Sequence, residues 1–116
     1  MLVTFLTGAP FAQGEAVVRS INPATRQIQP FINGLTTATD VLYRDSAAGT
    51  QFFVSEFRSV LLGPPPTGRI VQFDSPTGRV IVDNLQAPTG MAQDPVTGDI
   101  YVTEFIAGRI MRVTPQ

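Results

Sequence analysis

The sequence predicts an all-β, antiparallel fold built from repeats. The stretch Gln51–Phe57 returns as Asp99–Phe105, so that Val54 and Val102 lie 48 residues apart. A weaker third copy, with its valine 51 residues before Val54, lies at Leu2–Leu6. The 10 Gly and 10 Pro interrupt every long run, and no window has the 3.6-residue period of a helix. A period near fifty made of short strands and turns is typical of β-propeller blades.

Strand and turn patterns divide this single domain into three units, at residues 1–35, 36–87 and 88–116. With the strands of a blade lettered A to D from axis to rim, the units are predicted as B-C-D, A-B-C-D and A-B-C. This is a partial β-propeller of about three blade positions. The predicted strands are 2–6, 17–21 and 27–32; then 38–43, 52–57, 69–73 and 79–83; then 91–93, 100–105 and 109–113.

Composition excludes several classes of function. The net charge of −1 gives no field that favours DNA or RNA, so no nucleic-acid partner is predicted. The chain has no His and no Cys, which removes His-based triads, His metal ligands and disulfides. No stretch approaches the roughly 20 apolar residues of a membrane span, and no charged start precedes the apolar N-terminus as in a signal peptide.

Three blade positions do not close a ring, so each end blade leaves one apolar sheet face uncovered. Two explanations remain open. The chain is a piece of a longer propeller, or two copies associate head to tail as a homodimer that closes a six-bladed ring.

The repeated segments resemble six-bladed propellers of the NHL/SMP-30-like kind, and more narrowly the ScyD/ScyE family of scytonemin gene clusters. The resemblance covers nearly the whole chain, and its more specific part is the insert Leu61–Gly68 after Ser55-Glu-Phe57. The other matching stretches are Arg19–Thr25, Asn33–Thr36, Asp40–Val41, Pro88–Ala92, Gly98–Phe105 and Gly108–Ile110.

This resemblance implies a longer, usually exported protein, periplasmic or extracellular, without a settled activity. The present sequence departs from the family in lacking a signal peptide and about half of the propeller. SMP-30-like enzymes hold a divalent cation in the central channel, which the inner strands line. Asp40 opens an inner strand, so the resemblance makes it the candidate metal ligand, with Ca²⁺ as the cofactor; no other cofactor is evident.

Two long connections between strands B and C are predicted to emerge on one face of adjacent blades, at 8–15 and 58–67. Long loops in compact domains are commonly functional. The loop residues predicted to bind a ligand or partner are Phe11, Arg58, Val60, Leu61 and Leu62.

Glu56 and Glu104 end equivalent strands and invite comparison with an acid–base pair. Because repeat-equivalent residues lie on different blades, we expect each instead to pair with an Arg or to accept backbone amides. No catalytic residues are predicted. The favoured function is therefore a binding or scaffold propeller that recognises a small molecule or protein through the B–C loops. The alternative is a metal-dependent SMP-30/NHL-like hydrolase, or a secondary-metabolite tailoring enzyme, that uses channel carboxylates.

Overall fold

The computed structural model describes residues 1–7, 12–60, 67–74 and 76–116. These residues form ten strands in three antiparallel sheets, and no helix occurs among them. The first sheet contains β1 (Leu2–Phe5), β2 (Ala16–Ile21) and β3 (Ile28–Leu35). The middle sheet contains β4 (Ala38–Ser46), β5 (Gly49–Glu56), β6 (Gly68–Phe73) and β7 (Arg79–Leu85). The last sheet contains β8 (Pro88–Gln93), β9 (Ile100–Glu104) and β10 (Arg109–Val113).

The predicted all-β, antiparallel class is confirmed among the described residues. Strands follow chain order within each sheet, in groups of three, four and three. Some predicted ends were wrong: β5 and β9 stop at Glu56 and Glu104, one residue early. The reason is that the N–H groups of Phe57 and Phe105 donate at 2.9 Å to the carbonyls of residues 37 and 87, outside the strand ladder.

The three sheets share one pairing register. In each, the strand that carries the repeat pairs with the next strand along the chain at the same positions, which makes these residues structurally equivalent. The equivalent pairs are Val3–Arg19, Val54–Val71 and Val102–Met111, followed by Thr4–Val18, Ser55–Ile70 and Thr103–Ile110. The repeat read from the sequence is therefore a repeat of structure.

The middle sheet packs against a neighbouring sheet on each of its faces. Because side chains alternate across a strand, adjacent residues of β5 face different neighbours. Val54 lies in a core with Val18 and Ile32 of the first sheet. Its neighbour Phe53 lies in a second core with Val102 of the last sheet. Both middle-sheet residues are fully buried, so this sheet joins two separate cores.

Equivalent hydrogen bonds also cross between the sheets. Thr4 Oγ1 in the first sheet donates to the Thr39 carbonyl of the middle sheet at 3.3 Å. Ser55 Oγ, at the equivalent position in the middle sheet, donates to the Thr89 carbonyl of the last sheet at 3.4 Å. The two junctions between sheets are thus built in the same way.

Candidate functional site

Each buried glutamate is held by an arginine and a backbone amide. Glu56 Oε1 accepts the N–H of Thr36 at 2.6 Å, and its other oxygen pairs with Arg69. A buried carboxylate is costly unless its charge is paired and its oxygens accept hydrogen bonds. This clamp satisfies Glu56 and fixes the linker before β4 beside the ends of β5 and β6.

The same clamp recurs in the last sheet, where Glu104 accepts the N–H of Gln86 at 2.6 Å and pairs with Arg109. The hydrogen bond from Arg109 is the main cause that lowers the pKa of Glu104 below 4.5, and burial opposes it. The structure thus gives each glutamate a clamping contact, as expected, and does not bring the two together as a pair.

These clamps place three strand connections at one end of the molecule. In the first connection, Gly14 N–H donates to Thr36 Oγ1 at 3.4 Å. In the second, Arg58 N–H donates to Thr37 Oγ1 at 2.6 Å. The two connections predicted to emerge together are therefore both anchored on the same two-residue linker.

The third connection, residues 105–108, joins the same end. Ile106 N–H donates to the Gln86 carbonyl at 3.2 Å, on the linker before β8. Directly after the second connection, Gly68 at the start of β6 packs against Pro88, the first residue of β8. We call the end that carries residues 6–7, 12–15, 57–60, 67 and 105–108, the described parts of the three connections, the connection face.

The base of the second connection is closed by Ser59, whose N–H and Oγ donate to the Thr67 carbonyl at 2.9 and 2.7 Å. Just beyond this closure, Val60 is 42% exposed. Of the residues predicted to bind, Arg58 and Val60 therefore lie on the connection face. Phe11, Leu61 and Leu62 lie outside the described residues.

Exposed apolar side chains on the connection face extend beyond the predicted ones. Phe105 is 73% and Ile106 57% exposed, and Leu6, which follows β1, is 52% exposed. The sequence-based prediction missed these three residues because it rested on loop length, and the third connection is short. The feature of the sequence that could have identified them is their position directly after a repeated strand.

Asp40, the candidate metal ligand, bridges β4 of the middle sheet and β8 of the last sheet. Its Oδ1 accepts the N–H of Val41 at 2.8 Å, and its Oδ2 accepts the N–H of Met91 in the last sheet at 2.7 Å. Both oxygens are therefore engaged by backbone amides. Within the described ranges, no group of three or more acidic residues lies close enough together to hold a metal ion.

A groove of about 420 Å³ opens at the outer part of the junction between the first and middle sheets. Phe31, Phe52 and Phe73 line it, together with Asn33 and Thr50. Phe31 and Phe52 already contact one another edge to face, with ring centroids 4.8 Å apart. The lining residues of the groove are all outside the connection face.

Comparison with protein-family models, with curated proteins and with solved structures gave no match. None of the described segments forms a helix of the length and apolarity that crossing a membrane requires.

Proposed function

We propose that this chain is a non-catalytic binding or scaffold module, with its sheets arranged as consecutive propeller blades, that recognises a partner protein through the connection face. The observation that carries the proposal is the group of exposed apolar side chains there: Leu6, Val60, Phe105 and Ile106. Aromatic and aliphatic anchors of this kind supply most of the energy of protein interfaces.

The rigid base of the connection face supports this proposal. The glutamate clamps hold the two linkers under this face. Each linker leads directly into the first strand of a sheet, β4 or β8. A preorganised surface loses less conformational entropy on binding than a loose one. Arg58, at the base of the second connection, adds a cation beside the apolar side chains.

A binding function is favoured over an enzyme because the three carboxylates considered for chemistry are already engaged. Glu56, Glu104 and Asp40 each have both oxygens in contact with backbone amides or an arginine. A general acid or base needs an oxygen within reach of a substrate proton.

The test uses peptides selected from a phage-displayed random library on the purified chain, then synthesised for calorimetry. Phe105→Asp and Val60→Asp should each weaken peptide binding by about tenfold or more, as expected for interface anchors. Val96→Asp is the matched control, because Val96 is 91% exposed in the β8–β9 turn, outside the connection face.

Amide chemical shifts of the labelled chain then locate the bound peptide. The proposal expects the largest shifts at Leu6, Val60, Phe105 and Ile106. Shifts centred on the aromatic groove, or binding unchanged by the Phe105 and Val60 substitutions, would contradict it.

A further inference from the structure

The molecule has two outer sheet faces that no described part of the chain covers. On the last sheet, Ile110 is 67% and Tyr101 38% exposed. On the first sheet, Phe5 and Ile28 are exposed, and Val3 lies on the same face, half-buried. Both surfaces carry exposed apolar side chains, and an isolated module would gain by burying them.

The shared register shows what covers the equivalent of the last-sheet face elsewhere in the molecule. Ile110 is equivalent to Ile70 of the middle sheet and Val18 of the first, and both of these are 0% exposed. In each case the covering element is the next sheet along the chain. The exposed face of the last sheet is thus the first half of a junction that the molecule builds twice.

The outer face of the first sheet is the second half of the same junction. Val3 is equivalent to Val54 and Val102. Both of these valines are fully buried against the preceding sheet, in the first and second core respectively. The chain therefore carries two complementary halves at opposite ends of its stack of sheets.

We infer that the last sheet of one copy docks on the first sheet of a second copy, and that two copies close a ring head to tail. The occupant is a second copy of the chain, because its first and last sheets present the two halves of a junction formed twice within the chain, apart from the strand equivalent to β4 and β8. Propellers have about four to eight blades. One copy has three sheets, two copies give six, and three copies would exceed the range.

The cations on these faces are held within their own sheets, which leaves apolar contact to drive the docking. The Arg19 guanidinium lies 5.2 Å from the Phe5 ring centroid. Arg112 lies 3.5 Å from the Asp99 carboxylate. Among the described residues, the first sheet has no strand equivalent to β4 and β8, so the junction between copies rests on β1 and β2 against β9 and β10.

This inference shares the propeller arrangement with the proposed function but concerns other residues. The test is the mass of the full chain by light scattering after size exclusion, across a concentration series. The wild type should have twice the 12.5 kDa mass of one chain. Ile110→Arg and Val3→Arg should each weaken dimerisation by about a hundredfold or more, since each places a charge in a desolvated junction. Tyr101→Arg is the second variant of the last-sheet face should Ile110→Arg fail to fold by circular dichroism.

Mixing the two variants distinguishes head-to-tail docking from other dimers. A copy with Ile110→Arg keeps an intact first sheet, and a copy with Val3→Arg keeps an intact last sheet, so one good junction forms in the mixture. The mixture should therefore recover dimer that neither variant forms alone. Val96→Arg, the same kind of change on the exposed β8–β9 turn, should remain dimeric.

A wild type that stays monomeric at all concentrations would overturn the inference, as would a dimer that folded last-sheet variants leave intact. A dimer lost with Ile110→Arg but unaffected by Val3→Arg would also overturn it, because the last sheets would then face one another. Phe105→Asp should leave the mass unchanged, so that failure of peptide binding and failure of dimerisation are separate results.

Discussion

Glu56 and Glu104 show how a repeat residue is fixed by its surroundings. Each is buried and each joins an arginine to the amide of a linker. The first sheet carries Phe5 at the equivalent position, opposite Val17 in place of an arginine. Both members of the pair therefore change together: two sheets have a Glu–Arg ion pair, and the first sheet has two apolar residues. A buried carboxylate without its arginine would be destabilising.

Glu104→Gln should reduce the loss of folding stability that occurs when the pH falls from 7 to 3. The pKa of Glu104 is lowered in the folded state, so its charge adds stability above the ordinary value of 4.5, and this stability is lost as pH falls through the folded pKa. The wild type should therefore exceed the variant in free energy of unfolding at pH 7, with the difference shrinking below pH 4.5. Urea unfolding between pH 7 and pH 3 measures it.

Glu15→Gln is the matched control for this prediction, because Glu15 is exposed in the first connection. Its unfolding free energy should follow the wild type at every pH. A gap between wild type and Glu104→Gln that stays constant down to pH 3 would show that the clamp does not depend on the carboxylate charge.

Asp40→Ala should destabilise the fold by about 1 to 3 kcal/mol, because it leaves the Met91 N–H without its partner across two sheets. If Asp40 serves only as this bridge, calcium should not change the melting temperature of either protein. A calcium-dependent rise in the wild type that Asp40→Ala abolishes would instead identify Asp40 as a metal ligand.

At the scale of elements, two glycines at equivalent sequence positions are each required, but for different structural reasons. Gly68 begins β6, where an added Cβ would lie 2.2 Å from Pro88 Cδ and 2.6 Å from the Leu85 carbonyl oxygen. Gly108 precedes β10 with φ +63°, and nothing lies within 4 Å of its added Cβ. The first glycine permits close packing of strands, and the second permits a turn.

Gly68→Ala should cost about 3 kcal/mol, the upper end of overpacking, because a backbone atom cannot move aside as a side chain can. Gly108→Ala should cost about 1 to 2 kcal/mol, the price of a left-handed conformation for an L residue. Thermal unfolding of both variants checks the order.

Gly90→Ala is the control for both glycines, since its Cβ would meet only Thr103 Oγ1, at an ordinary 3.6 Å. We expect a change within about 0.5 kcal/mol. A Gly108 variant as costly as the Gly68 variant would contradict the distinction between turn and close packing.

At the scale of the whole molecule, the middle sheet should be the most stable part of the chain. It contributes to both cores, and β5 has a paired strand on each side. By contrast, β1 and β10 are edge strands. Amide hydrogen exchange should be slowest in β5 and β6 and fastest, among the strands, in β1 and β10. Equal protection of β10 and β5 would contradict this order.

The sequence by itself determined the all-β class, the number and order of the strands and the repeat equivalence of Val3, Val54 and Val102. These follow from local patterns, since alternation and turn residues act within a few positions. It also predicted that the first two connections emerge together, and Gly14 and Arg58 are both anchored on the linker before β4.

Only the tertiary structure decided how much of that site is exposed and which carboxylates already accept hydrogen bonds within the molecule. Phe57 and Phe105 match in sequence, yet Phe105 is exposed and Phe57 half-buried. Asp40 has the carboxylate that a metal ligand needs, but the N–H of Met91, 51 residues away, donates to it. Burial and long-range hydrogen bonding depend on which sheets meet, and residues distant in sequence determine that contact.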